Sequence, residues 1–167
     1  MKTVVLTGMM GSGKTSAGKI LAKISDCEFT DLDCCIEQQE KQSIPDIFEN
    51  RGEEYFRKIE KESLKKIFKL EKLVISLGGG TFENPDTRDF LLKNSNVFYL
   101  QTSPEIIFER IKNSTSRPLL SKCMTIKKIT EILEKRECNY KKAQNIIVTD
   151  NLTPLQTAEL ILGVLKK

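Results

Sequence analysis

Apolar positions along this chain alternate between short, nearly unbroken runs and longer stretches where they recur at helical spacing. Strand-like runs fall at Val4–Leu6, Phe29–Asp31, Leu73–Leu77, Val97–Leu100 and Ile146–Val148. The first is β-branched and apolar throughout, as a strand buried on both faces requires. Helical patterns lie between these runs. Thr15 to Ile24 places Ile20, Leu21 and Ile24 on one side. Gly52 to Phe68 is the longest amphipathic stretch, with Phe56, Ile59, Leu64, Ile67 and Phe68 as its expected buried side. Helix starts are marked by a capping residue followed by proline at Asn84-Pro85, Ser103-Pro104 and Thr153-Pro154, and less regularly at Ser43-Ile44-Pro45-Asp46. The alternation predicts an α/β fold with a parallel sheet covered on both faces. Neither an internal repeat nor a linker interrupts it. The polar, irregular stretch Asn113 to Lys122 is long for a loop in a compact domain, and such loops are often functional.

Composition narrows the picture. At 167 residues, 39% hydrophobic and 30% charged, the chain reads as one soluble globular domain. Its net charge of +4 is modest, with Lys and Glu interspersed. The lysines between Lys65 and Lys72 read as a solvated helix face, and the few aromatics form no base-stacking platform, so nucleic acid is not expected as a partner. Nothing before the phosphate loop resembles a signal peptide, so none is expected, and no apolar run is long enough to span a bilayer. Five cysteines, odd in number and without zinc-type spacing, suit a reducing cytoplasmic setting. Cys34 and Cys35 are adjacent; a redox switch and two ordinary helix residues are the alternatives. Histidine is absent, so any proton transfer must use Asp, Glu, Lys or water.

The chemistry is concentrated at Gly8-Met-Met-Gly-Ser-Gly-Lys-Thr15, which fits the phosphate-loop pattern G-x-x-x-x-G-K-[ST] between a strand and a helix. Backbone N–H groups in such a loop point inward at phosphate oxygens, and the helix N-terminus adds positive potential. Lys14 is then set to reach the outer phosphates and the Thr15 hydroxyl to ligate Mg²⁺.

The acceptor of any phosphoryl group must be read elsewhere. Asp31 and Asp33 stand two apart at the end of the second strand-like run. Read as strand residues, they lean to one face, where ligands of open α/β sheets collect; read otherwise, they cap a helix. Arg57 and Glu60 share a helix face, as part of a site or as a structural ion pair. Gly78-Gly79-Gly80 permits close approach of backbone to a ligand, or forms a plain loop. Arg117 lies in the polar stretch, and Arg136 lies four residues before Tyr140. Guanidinium groups grip phosphates and carboxylates with paired hydrogen bonds.

Together these residues resemble shikimate kinase. The quoted segments are the phosphate loop, Asp31-Leu-Asp33, Ser43-Ile-Pro-Asp-Ile-Phe48, Gly52-Glu-Glu-Tyr-Phe-Arg57-Lys-Ile-Glu60, Ser76-Leu-Gly-Gly-Gly80, Arg117-Pro-Leu-Leu120 and Arg136-Glu-Cys-Asn-Tyr140. The phosphate loop is common to many nucleotide-binding proteins; the others, in this order and spacing, are specific. The resemblance implies a three-layer P-loop fold like that of nucleoside monophosphate kinases, with a five-stranded parallel sheet in order 2-3-1-4-5. It implies transfer of the γ-phosphoryl of ATP to the 3-hydroxyl of shikimate, in the route to chorismate and aromatic amino acids. Gly11, Ser12, Gly13, Lys14, Thr15 and Ser16 would hold the nucleotide phosphates, with Arg110 against the adenine. Thr15 would ligate Mg²⁺ and Asp31 would act through a metal-bound water. Asp33 would bind the acceptor hydroxyls, Arg57 and Arg136 its carboxylate, and Gly79 would offer an N–H. Lys14, Asp33 and Arg117 would carry the chemistry, with Asp33 orienting the nucleophile or taking its proton late.

One kinase domain spanning 1–167 is therefore expected, with its phosphate loop at 8–15, an acceptor region at about 31–60 and a lid at about 113–122. A cytoplasmic monomer acting on two small molecules, with neither nucleic acid nor membrane as partner, completes the expectation. Two positions depart from the family pattern: Asp150-Asn151-Leu152 has no basic residue beside the adenine, and Leu77 replaces a smaller residue. The alternatives are a gluconate or nucleoside monophosphate kinase of the same architecture, and a nucleotide-binding module without catalysis.

Overall fold

A computed structural model describes residues 2–112 and 125–166. Five strands, β1 (Val4–Thr7), β2 (Glu28–Asp31), β3 (Leu73–Ser76), β4 (Asn96–Gln101) and β5 (Asn145–Val148), pair in parallel in the order β2-β3-β1-β4-β5. Both the parallel sheet and its order agree with expectation. The helices are α1 (Lys14–Ile24), α2 (Leu32–Glu40), α3 (Ile44–Ile67), α4 (Pro85–Asn94), α5 (Pro104–Lys112), α6 (Ile126–Tyr140) and α7 (Pro154–Leu165).

β1 is central, and its side chains divide the core between two faces. Val4 and Leu6 pack with Ala17, Leu21 and Ala22 of α1 and with Ala158 and Ile161 of α7. Val5 faces the opposite layer, with Ile36, Phe56, Ile59, Leu91, Ile107, Ile129 and Tyr140. Helix contact differs from the periodicity reading in α1. Its buried stripe is Ala17, Gly18, Leu21 and Ala22, small residues that let the helix approach the sheet closely. Ile24 lies off the middle of that stripe and is exposed.

Capping chemistry sets most helix starts. The Ser43 side chain accepts from Asp46 N–H, Asn84 from Thr87 N–H and Thr153 from Gln156 N–H, the last within a reciprocal capping box. Thr125 caps α6 in the same way, a start that the sequence reading did not pick out. α3 is broken at Gly52 (φ 78°, ψ 173°), where the long amphipathic stretch was expected to begin. Beyond the break Phe56, Ile59, Leu64 and Ile67 are buried as expected, and Phe68 is half-buried just past the helix end.

Candidate active site

The loop from β1 to α1 turns through three glycines with positive φ, Gly8, Gly11 and Gly13. Lys14, buried at the start of α1, folds back so that its Nζ donates to Gly8 O at 2.9 Å and Met9 O at 2.8 Å. The ammonium is thus positioned over the loop by the same backbone that would cradle phosphate. A cavity of about 660 Å³ opens above it, walled by the loop residues Met10 to Ala17. On the β2–β3 side of β1 the cavity is closed by Asp31, Asp33, Leu77 and Gly79, and on the β4–β5 side by Arg110, Thr149 and Leu152. The Ser12 hydroxyl is buried in the loop, with no hydrogen-bond partner among the described residues.

The paired aspartates reach this cavity by a different route from that expected of two strand residues. β2 ends at Asp31, and Asp33 belongs to the first turn of α2. Asp31 is itself the N-cap, its Oδ1 accepting from Cys34 N–H at 3.4 Å. Its Oδ2 accepts from Thr15 Oγ1 at 2.8 Å. Capping and site placement are therefore the same fact: the cap fixes a carboxylate beside the Thr15 hydroxyl. Burial, and then the charge of Asp31, push the neighbouring Cys34 and Cys35 thiols up in pKa. Thiols held protonated are poor nucleophiles, which favours their reading as ordinary helix residues.

The three glycines after β3 explain how the remaining side chains meet. A Cβ on Gly78 would collide with Asp33 Oδ1; one on Gly79 would lie 3.3 Å from Arg136 Nη1; one on Gly80 would lie 2.9 Å from Arg57 Nη2. Each glycine gives up its side chain to one polar group, so α2, α3 and α6 each deliver a charge to one corner. Arg57 is held there by Glu60, 3.0 Å away and nearly fully buried, whose other oxygen accepts from Thr81 Oγ1 at 2.6 Å. Glu53 lies 3.3 Å from the guanidinium on the solvent side. The expected ion pair of Arg57 and Glu60 is real, and it also presents the remaining edge of the guanidinium to the glycine corner.

On the other side of β1, Arg110 donates to Thr149 O at 2.9 Å and to Gly11 O at 3.3 Å, bracing the phosphate loop against the strand β5 end. Two residues that drew no attention as site candidates support α6. Buried Arg88 donates to Phe82 O, Glu83 O and Asn139 Oδ1 at 3.2, 3.3 and 3.0 Å. Tyr140 stacks on Tyr99 with ring centroids 5.1 Å apart, and its hydroxyl donates to Gly79 O. Its spacing of one helical turn from Arg136 was the only available signal. Arg117 and the expected lid at about 113–122 lie outside the described residues.

Thr15 and Asp31 bring hard oxygen donors, the kind Mg²⁺ takes, to the edge of the cavity. Thr15 Oγ1 spends its proton on Asp31 and keeps its lone pairs, and Asp31 adds a carboxylate. No cluster of three metal-ligating carboxylate, Cys or His side chains exists among the described residues. Mg²⁺ usually keeps several waters and takes one or two protein carboxylates alongside substrate phosphates.

A parallel sheet in this order, a phosphate loop at its centre and an acidic and basic corner beside it define a P-loop small-molecule kinase. Comparison with known proteins gives the family. A family model described as shikimate kinase matches residues 10–166. The shikimate kinase of Sulfurihydrogenibium sp. is 41% identical over 167 residues, covering 100% of this chain and 99% of that one. The enzyme of the same name from Thermus thermophilus is 43% identical over 148 residues, 88% of this chain and 80% of the other. The structure of shikimate kinase from Acinetobacter baumannii in complex with shikimate superposes with a TM-score of 0.91 at 33% identity, covering 99% of this chain and 93% of that one. A gluconokinase from Sinorhizobium meliloti, at TM-score 0.59 and 17% identity, shares the fold alone. The chain belongs to the shikimate kinase family.

Proposed function

We propose that this protein transfers the γ-phosphoryl of ATP to the 3-hydroxyl of shikimate. The observation that carries the reading is the glycine corner, where Asp33, Arg57 and Arg136 each lie against one of three consecutive glycines, with Asp33 and Gly79 also lining the cavity over the phosphate loop. Shikimate offers one carboxylate and three hydroxyls. Two guanidinium groups suit the carboxylate, with bidentate geometry available to each, and an acceptor-only carboxylate suits hydroxyl donors. Support also comes from relatives matching end to end under this name.

Phosphoryl transfer needs alignment and charge neutralisation more than covalent help. Gly11, Ser12, Gly13, Lys14, Thr15 and Ser16 hold the phosphates in this reading. Lys14 would exchange its carbonyl partners for phosphate oxygens and follow the charge as it shifts toward the leaving group. Asp33 would hold the attacking hydroxyl in line or take its proton as the new bond forms. Arg57 and Arg136 fix the far end of the acid, and the Gly79 N–H adds a contact. Mg²⁺, held by Thr15 and by Asp31 through water, neutralises phosphate charge when bound. Arg110 flanks the adenine, and Arg117 is assigned to the phosphates from the family motif alone. The chain is read as one kinase domain working as a cytoplasmic monomer. No helix among the described residues is long and apolar enough to cross a membrane.

A coupled assay of ADP release with shikimate, gluconate and nucleoside monophosphates as acceptors tests the reading. Turnover is expected with shikimate alone; turnover of another acceptor and none with shikimate would overturn it. A module without catalysis has no use for an acidic and two basic side chains at one glycine corner.

A further inference from the structure

The glycine corner is built from three separate helices, and one hydroxyl touches its middle glycine beside Arg136. Tyr140 is completely buried, with its ring stacked on Tyr99. The phenol oxygen donates its proton to the Gly79 carbonyl, and the Arg136 guanidinium lies beside it: Arg136 Nη1 and the phenol oxygen stand 3.3 and 3.8 Å from the one point that a Cβ on Gly79 would occupy. Met9 Sδ, from the phosphate loop, is 3.9 Å from the same oxygen. We propose that Tyr140 is a positioning residue for the acceptor, its hydroxyl tying the Gly79 carbonyl to the Arg136 side chain so that the acid's carboxylate meets a preset corner. The proposal rests on the acceptor-pocket reading given above.

The physical reasoning has two parts. A peptide group is planar and trans. Pinning the Gly79 carbonyl therefore fixes the whole Gly79–Gly80 unit, including the direction of the Gly80 N–H. Glycine would otherwise leave this peptide unusually free to rotate. The second part concerns Arg136, a long side chain that forfeits much rotamer entropy when held still. A partner that orients it before the ligand arrives lowers the cost of binding. The donor must also stay protonated. Burial pushes the Tyr140 phenol up to about 12, against the opposing pull of Arg136, so it remains a donor throughout the physiological range. Glu83, the other charged group acting on it, pushes in the same direction as burial.

Tyr140→Phe removes one oxygen and keeps the ring stack. The expected result is a rise of about five- to tenfold in the KM for shikimate, in keeping with one lost hydrogen-bond link, with kcat and the KM for ATP within about twofold. In a cycle with Arg136→Met, the double variant should be little worse than Arg136→Met alone, because both substitutions cut the same tie. A merely structural role would lower Tm and leave the shikimate KM in place, and that outcome overturns the proposal. Strict additivity in the cycle also overturns it. Arg57→Ala separates the two readings: if it raises the shikimate KM while Tyr140→Phe does not, only the role of Tyr140 falls. If neither variant raises it, the acceptor pocket itself is misassigned.

Discussion

In the proposed reaction Lys14 and Arg57 act on opposite sides, and their surroundings predict different kinetic signatures. Lys14 is tied to two loop carbonyls that a phosphate group would replace, so its charge acts where the transferred group passes. Lys14→Ala is expected to lower kcat by roughly 10²- to 10³-fold, the usual effect of removing one preorganised donor to developing charge. Arg57 is held by Glu60 before any ligand arrives. Arg57→Ala should raise the shikimate KM at least about tenfold, as loss of a charge-assisted pair does, with the smaller effect on kcat. Steady-state kinetics on both variants check this division. Tyr140 makes a prediction of another kind. Its folded-state pKa lies above the ordinary 10, at about 12. The neutral phenol is favoured in the fold, so this contribution to stability is complete below pH 10 and is lost as pH rises toward 12. Urea unfolding of Tyr140→Phe should therefore show a shallower loss of stability than the parent between pH 10 and pH 11.5.

Among the elements, the turn after β3 does the most for the site. Its glycines are needed for room, since none of the three carries a positive φ. An added methyl group at Gly78 meets the carboxylate of Asp33, a short side chain anchored in the first turn of α2. At Gly80 it meets the end of Arg57, which is long enough to swing aside. Gly78→Ala should thus damage shikimate binding more than Gly80→Ala, with little change of Tm in either; isothermal titration and thermal melts check the order. This turn also marks the boundary of what the sequence made legible. Three consecutive glycines announced close approach, but the identity of the groups approaching depended on α2, α3 and α6 meeting in space. The Asp31–Asp33 pair lines the cavity by a route that strand alternation did not give, because alternation cannot register that a helix begins between the two residues. Ile24 misled for a related reason: helical spacing in sequence does not say how far round a helix the buried stripe extends when alanine and glycine flank its one leucine. Tyr140 was invisible as a participant, since its hydroxyl serves a backbone carbonyl 61 residues away.

At the scale of the whole molecule, the sheet order places the acceptor corner on β2 and β3 and the Arg110 side on β4 and β5, with the phosphate loop of β1 between them. Each ligand then binds the folded state through a different half of the sheet, and each should stabilise it by mass action, about 2.7 kcal/mol at one hundred times its Kd. Thermal melts of Arg57→Ala should lose the shift produced by shikimate and keep the shift produced by ADP. The order of the sheet was legible from the motif resemblance, and the alternation of runs alone would have given only the parallel class. The cavity that spans both halves has a practical corollary. Because one uninterrupted space of about 660 Å³ runs from Asp33 and Gly79 to Arg110 and Leu152, two weak fragments seated at its ends can be bridged by a short tether without crossing a wall. Joining them turns the second docking event into an intramolecular one at millimolar effective concentration, so the open passage makes this kinase a target for chimeric inhibitors, one end an acid and the other a nucleotide.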